Sequence, residues 1–275
     1  MKEIFQRIFF NQLYKKAYTR AVFSSFGIFI QEIKVSFGQF FTLHYPLSLF
    51  HVCRQVHLSV LRLIAGRSAR ISYAHTGEDR IIDSILKPII NKPGFYVEVG
   101  CNEPIFISNT FSLYKRGWKG ICIDANGELI KKYKKKRPRD IAVQALVSNK
   151  LEERDYFIYT NNVLSSTEHI TLNAVEEPGF ELVEKQTMLT QSLTEILDKH
   201  NAPTQFDLLS VDAEEHDLQV LQSLDFNRYT PKLIVVESET IDAASPSEDL
   251  IFQFITSKGY TFEGCILKNL YFSKH

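Results

Sequence analysis

Cysteine is scarce in this chain, and no two cysteines stand in a C-x-x-C pair. The four, Cys53, Cys101, Cys122 and Cys265, are scattered over 275 residues. That excludes a disulfide scaffold and gives no zinc-ligand spacing, and it suits a reducing, cytoplasmic compartment. Glycine (12) and proline (9) are too few for a collagen-like or low-complexity chain. Net charge is zero and the pI is about 7.1, so no global pull on nucleic acid is expected. A long apolar run is also missing. The longest uncharged stretch near the start, Val35 to Cys53, is interrupted by Ser36, Gly38, Gln39, Thr42, His44, Pro46, Ser48 and His51. A membrane span needs about 20 mostly apolar residues. Acidic and Gln residues break any leader-type apolar region at the N-terminus.

The neutral average hides a composition shift. Residues 1–70 hold ten Lys/Arg against Glu3 and Glu32, a surplus of +8, together with 13 of the 34 aromatic residues. Residues 71–275 carry the balancing −8. A basic, aromatic-rich helical extension over 1–70 is therefore expected to precede an acidic domain over 71–275. Such an extension suits either a peripheral contact with a membrane surface or glycolipid at the inner face, or packing on the domain or on a second copy in a homo-oligomer. The basic run Lys131–Arg137 reads first as a solvated helix face.

From residue 71 the pattern alternates strands and helices. Thr76 is a candidate N-cap for a helix carrying Ile81, Ile82, Ile85, Leu86, Ile89 and Ile90, with Pro88 ending or kinking it. Strands are expected at Phe95–Val99, Lys119–Asp124, Ile141–Val147, Arg154–Tyr159, Phe206–Asp212 and Lys232–Glu237. Asn126 caps a helix from Glu128 to Lys136. Ser192 with Glu195, and Ser245 with Glu248, form capping boxes, the second opening a helix to about Lys258. Two closing strands, Tyr260–Leu267 and Leu270–Ser273, form a hairpin, and residues 160–190 are a polar insertion. Alternation of this kind predicts an α/β fold with a parallel sheet.

Three of these strands end in an acid, at Asp124, Asp212 and Glu237, and open α/β sheets bind ligands at that edge. Gly100 follows a buried strand and lets the backbone approach a ligand. The G-x-G-x-x-G fingerprint is absent, and Asn102 is suited to a left-handed conformation in place of a second glycine. Asp124, 24 residues after Gly100, is placed to accept hydrogen bonds from both hydroxyls of a ribose.

The ordered set Gly77-Glu78-Asp79-Arg80, Tyr96-Val97-Glu98-Val99-Gly100, Ser108-Asn109-Thr110, Gly117-Trp118-Lys119-Gly120-Ile121, Asp124-Ala125-Asn126 and Arg137-Pro138-Arg139-Asp140 resembles FkbM-type S-adenosylmethionine-dependent methyltransferases. So do Leu209-Ser210-Val211-Asp212-Ala213-Glu214 with His216, Leu224-Asp225-Phe226 with Tyr229 and Pro231, and Val235-Val236-Glu237. The likeness covers about residues 72–275 and leaves the first 70 outside. It implies a Rossmann-like seven-stranded sheet with an antiparallel last strand, and S-adenosylmethionine as cofactor. The implied reaction is methylation of a hydroxyl on a sugar, glycan or glycosylated metabolite, in bacterial glycan biosynthesis. By position it places Glu98 and Gly100 near the methionine part of the cofactor, Asp124 on the ribose and Ala125 beside the adenine. Glu78 and Asp79 fall in the motif that lids the cofactor, and Asp212 beside the reacting methyl. The chain departs from the family at Glu214-Glu215-His216, where Glu-Gly-His is common, and at Ala74-His75, where Ser-Gln is common.

A hydroxyl acceptor needs its proton taken. His216 is the first candidate base and Asp212 its orienter or a base itself, with Glu214, Glu237 and His75 further candidates. Asp212 with Glu214 or Glu237 has the chemistry for a divalent ion, but no dedicated ligand spacing, so no metal is predicted. Two competing readings remain. One is a nicotinamide dehydrogenase, which Asp124 also suits. The other is a catalytically degenerate cofactor-fold protein serving as a binding or assembly partner in glycan biosynthesis.

Overall fold

The computed structural model describes His57 and residues 71–90, 92–159, 181–214 and 216–274. The chain forms two compact units, Met1–Ser72 with Lys115–Gly117, and Tyr73–Tyr114 with Trp118–His275. The fold that follows is that of the second. The expected extension over 1–70 lies, His57 apart, outside the described residues, as do residues 160–180 of the insertion and Glu215. Among the described residues no helix is long and apolar enough to cross a membrane.

In chain order the elements are α1 (Glu78–Ile85), β1 (Phe95–Val99), α2 (Phe111–Lys115), β2 (Lys119–Asp124), α3 (Gly127–Lys136), β3 (Ile141–Gln144) and β4 (Leu146–Val147). There follow β5 (Glu153–Tyr159), β6 (Leu182–Gln191), α4 (Leu193–Lys199), β7 (Gln205–Val211), α5 (Asp217–Gln222), β8 (Thr230–Glu237), α6 (Leu250–Ser257), β9 (Thr261–Ile266) and β10 (Asn269–Ser273). Seven strands make one sheet in the order β3-β2-β1-β7-β8-β10-β9, while β4, β6 and β5 form a small second sheet. All neighbours from β3 to β8 are parallel, and β10 runs antiparallel to both β8 and β9. This is the Rossmann-like arrangement with an antiparallel last strand.

Side chains alternate across a strand, so each strand feeds two cores. Val97, Val99, Ile121, Ile123, Leu209, Val211, Ile234 and Val236 pack against apolar residues of α4, α5 and α6. Tyr96, Cys122, Leu208, Leu233 and Val235 point the other way, against Ile82, Leu113, Ile130 and Tyr133 of α1, α2 and α3. Burial on both faces is why these strands read as unbroken apolar runs. β1 is flanked by β2 on one side and β7 on the other, a topological switch point that opens a crevice at the carboxyl ends of the strands.

Four local expectations are corrected. The N-cap of α1 is Gly77, with φ 101°, while the Thr76 N–H and hydroxyl donate instead to the Glu78 carboxylate. Pro88 ends that helix as expected, but already at Ile85, so Leu86, Ile89 and Ile90 lie beyond it. The strand expected over Ile141–Val147 breaks at Ala145, where the last β2–β3 ladder bond runs from the Ala145 N–H to the Asp124 carbonyl at 3.1 Å, and Leu146–Val147 pairs with β6 instead. Ser245 makes no side-chain cap, and Pro246–Glu248 is a 3-10 turn. The true cap of α6 is Asp249, which accepts from the Phe252 N–H at 2.9 Å and from the Ser238 hydroxyl at 2.6 Å. The Ser192–Glu195 box on α4 and the Asn126 cap on α3 form as expected.

Candidate active site

A cavity of about 550 Å³ lies at the carboxyl edge of the sheet, within the range of small-molecule sites. Its lining includes Gly100, Asn102 and Asp124 from the turns after β1 and β2, and Asp212, His216 and Glu237 from those after β7 and β8.

The turn after β1 is built to be tight. Gly100 has φ 72°, and its N–H and that of Cys101 both donate to the Ile123 carbonyl, at 2.9 and 3.1 Å. Asn102 is left-handed, with φ 46°, as its residue type suggested. Its backbone N–H donates to Asp124 Oδ2 at 2.9 Å, and the Asn126 N–H donates to Oδ1 at 2.8 Å. Asp124 is thus fixed by one backbone donor on each oxygen. A carboxylate has about four lone-pair sites, so both oxygens keep capacity for a ligand diol. Burial pushes the Asp124 pKa up to about 6, against the opposing pull of the two N–H donors.

Beside Asp124 the cavity wall turns apolar. Ala125, Leu146, Tyr156 and Ile158 form a small buried cluster, of which Ala125, Leu146 and Tyr156 line the cavity. The break at Ala145 creates this wall, because it moves Leu146 out of the main sheet and under β6. The result is an apolar wall next to a diol acceptor, a combination suited to a nucleoside.

Glu98, the fourth residue of β1, is buried and lines the cavity. Its Oε2 accepts from the Thr110 hydroxyl at 2.6 Å. Glu78 also lines the cavity and accepts from the Thr76 N–H at 2.9 Å and the Asn269 amide at 3.2 Å, tying the upstream motif to the start of β10. Asp79 is more deeply buried, accepts from the Tyr73 N–H at 3.0 Å and is not among the residues lining the cavity.

Asp212 follows β7 directly. Burial raises its pKa well above the ordinary carboxylate range, and the Glu237, Glu214 and Asp217 charges raise it further. Glu237, the last residue of β8, lines the same cavity. Asp212 Oδ1 and Asn102 Oδ1 are buried with no hydrogen-bond partner among the described residues. Two orphaned acceptors lining one cavity are the mark of a site shaped for a polar ligand.

His216 is the N-cap residue of α5 and lines the same cavity. Its Nε2 lies 3.0 Å from Ser148 Oγ, and Arg154 Nη1 lies 3.3 Å from Nδ1 and 3.4 Å from Nε2. Burial and then the Arg154 charge lower its pKa to about 4, so the ring is neutral at physiological pH. Its contacts with Ser148 and Arg154 were invisible in the sequence, since β5 and the β4 exit reach α5 only in the fold. Among the described residues no group of three or more His, Cys, Asp or Glu is placed to hold a metal ion.

No curated protein and no solved structure matches the chain. Residues 98–262, more than half of its length, match the Methyltransferase FkbM domain, and the chain belongs to that family of methyltransferases.

Proposed function

We propose that the protein transfers a methyl group from S-adenosylmethionine to a hydroxyl of a sugar or glycan, with Asp212 as the base. The observation that carries this is one cavity joining a diol acceptor beside an apolar wall, at Asp124, to a buried carboxyl with an unpartnered oxygen, at Asp212. The residues present fit the cofactor: Gly100 leaves no side chain in the turn, and Asn102 Oδ1 and Asp212 Oδ1 lack partners. Bound there, the cofactor would supply a methyl group already activated on a sulfonium.

The chain's own work is then alignment and proton removal. Asp124 accepts the ribose hydroxyls, and Ala125, Leu146 and Tyr156 cover the adenine and exclude water. Alignment of this sort supplies up to about 7–11 kcal/mol of a barrier. Asp212, desolvated and short of a donor on Oδ1, takes the acceptor proton as the new C–O bond forms. His216, neutral and held between Ser148 and Arg154, shapes the acceptor side. Base catalysis of this kind contributes about 10²–10⁴-fold. The sugar acceptor follows from the family resemblance. The basic, aromatic-rich segment 1–70 supports attachment to an anionic glycolipid surface on the cytoplasmic side of a bacterial membrane.

Calorimetric titration with S-adenosylmethionine, S-adenosylhomocysteine and NAD, repeated on Asp124→Ala, tests the reading. Micromolar binding of the first two, lost in the variant, is expected. Binding of NAD alone would mean a dehydrogenase, and binding of none would favour an assembly protein.

A further inference from the structure

We propose that Arg137 is a positioning residue for the cofactor: it supplies the buried positive charge that holds Glu98 as an anion, and so makes the cavity wall at Glu98 select a ligand bearing a cation. The inference rests on the methyltransferase reading above and extends it to residues outside the cavity wall.

Arg137 caps the C-terminus of α3 and turns inward until its side chain is 0% exposed. A guanidinium has five N–H donors, and all five find acceptors. Nε donates to Asp140 Oδ2 at 2.7 Å. Nη1 donates to Ser108 Oγ at 3.2 Å and to the Pro104 carbonyl at 3.4 Å. Nη2 donates to Tyr96 OH and to Thr110 Oγ1, both at 2.8 Å. The rings of Tyr96, Tyr114 and Tyr133 surround it, with centroids 4.9–5.5 Å away. Burying a cation costs several kcal/mol unless it is paired and hydrogen-bonded. Here every donor is satisfied, so the cation is held rigidly.

The charges around it do not balance. Asp140 forms the direct ion pair, and it also accepts from Tyr96 OH at 2.8 Å and the Gly120 N–H at 3.0 Å. Asp140 alone neutralises Arg137. Glu98 adds a second carboxylate, with Oε2 3.9 Å from Arg137 Nη1. Thr110 relays between them, accepting from Arg137 through Oγ1 and donating to Glu98. Two carboxylates and one guanidinium leave one negative charge, and of the three groups only Glu98 lines the cavity. The other groups facing Glu98 are neutral: Cys122 on β2 at 3.8 Å, Tyr133 on α3 at 3.5 Å, the Asn109 N–H, and Cys101 beyond β1. Burial drives Glu98 toward its protonated form, and Arg137 is the strongest influence against it, followed by Thr110, while Asp140 works with burial. A buried excess carboxylate is satisfied by a cation from outside. In S-adenosylmethionine and S-adenosylhomocysteine the shared cation is the ammonium of the amino-acid tail.

The test is calorimetry of S-adenosylhomocysteine and of 5′-methylthioadenosine, which lacks that ammonium, between pH 6 and 8. In the wild type the homocysteine ligand is expected to bind at least tenfold tighter, and Glu98→Gln to erase the difference. Arg137→Met is expected to weaken S-adenosylhomocysteine at least tenfold at pH 7, with recovery toward pH 8 as Glu98 ionises. Methylthioadenosine binding should be unmoved and Arg137→Lys partly rescued. A loss in Arg137→Met that is equal for both ligands and flat with pH marks a purely structural residue and overturns the proposal. Where Arg137→Met does not fold, equal wild-type affinity for the two ligands overturns it equally. Failure of the wild type to bind either ligand defeats the methyltransferase reading itself, and this inference with it.

Discussion

The backbone carbonyl oxygen of Asp212 occupies the space that a side chain on Gly100 would need. A Cβ built on Gly100 falls 1.6 Å from that oxygen, and the Asp212 N–H donates to the Val99 carbonyl at 3.0 Å. The turn after β1 and the turn after β7 are therefore pressed together, so Asp124, bonded to the first turn through the Asn102 N–H, and Asp212 are held at a fixed separation.

Gly100→Ala is accordingly expected to destabilise the fold by about 3–5 kcal/mol, because rigid backbone and not a flexible side chain must move. Gly77→Ala is the control. Gly77 is also left-handed, at φ 101°, but a Cβ there meets nothing within 4 Å. Its cost is conformational strain alone, about 1–2 kcal/mol. Urea midpoints measured on both variants check the difference. Equal losses would mean that the close approach to Asp212 is not what demands glycine.

The central strands and this turn were legible in the sequence because their causes are local. Phe95–Val99 and Lys119–Asp124 are buried on both faces, so they show as apolar runs, and Gly100 and Asn102 announce left-handed backbone by residue type. What the sequence hid depends on distant partners. Ser245 has the capping pattern, yet Asp249 caps α6 because Ser238 and Thr240 donate to the same carboxylate. Ala145 carries no local signal for a strand break, which comes where β2 ends at Asp124 and Leu146 turns to pair with β6. Arg154 is 62 residues from His216, and only the β5–β6 hairpin brings it there. The same holds for Glu98 and Arg137. Each was visible as a motif residue, but their pairing was not.

Cofactor affinity should fall on the acid side through Asp124. Its pKa in the folded protein is about 6, above the usual carboxylate value, so the residue still holds its proton between about pH 4 and 6. Ribose hydroxyls donate to the anion and not to the acid. Affinity for S-adenosylhomocysteine is expected to be flat above pH 7 and to drop about tenfold per unit below 6. The linked stability effect has the opposite sense: the raised pKa destabilises the folded state progressively as pH rises from about 4 to 6, since only the unfolded chain ionises freely. Asp124→Asn should remove both slopes. A wild-type affinity unchanged between pH 7 and 5 would refute the assignment.

Ile107 is a β-branched residue at φ 51°, a conformation such residues seldom adopt. It is 41% exposed, so little burial compensates the strain, and it lines the cavity. Backbone strain of this kind costs about 1–3 kcal/mol and collects at functional sites. Ile107→Gly is expected to raise the unfolding free energy by about 1 kcal/mol while leaving S-adenosylhomocysteine affinity intact and slowing methyl transfer. Denaturant titration and calorimetry read the first two. A destabilised variant would show that the side chain is kept for packing.

Asp212 and His216 make separable claims on the proton. His216 has its pKa lowered to about 4, against an ordinary 6.5, by burial and Arg154. A depressed histidine contributes stability that is present above about pH 6.5 and lost as pH falls toward 4. Its ring should therefore stay neutral at pH 5.5, which NMR titration of the imidazole protons checks without any acceptor. A ring that is already neutral cannot produce an acid limb in the rate between pH 5 and 8. If a limb appears there at saturating S-adenosylmethionine, where the Asp124 effect on cofactor affinity is removed, and with an acceptor found by a glycan screen, it belongs to Asp212, whose pKa burial raises and whose proton must leave before it can take another. Asp212→Asn is then expected to lower kcat by about 10²–10⁴-fold with S-adenosylhomocysteine affinity little changed. His216→Asn should keep the limb and slow the reaction within about tenfold. If instead His216→Asn abolishes the limb and Asp212→Asn retains it, the roles are exchanged, and the Arg154 contact must break when the acceptor binds.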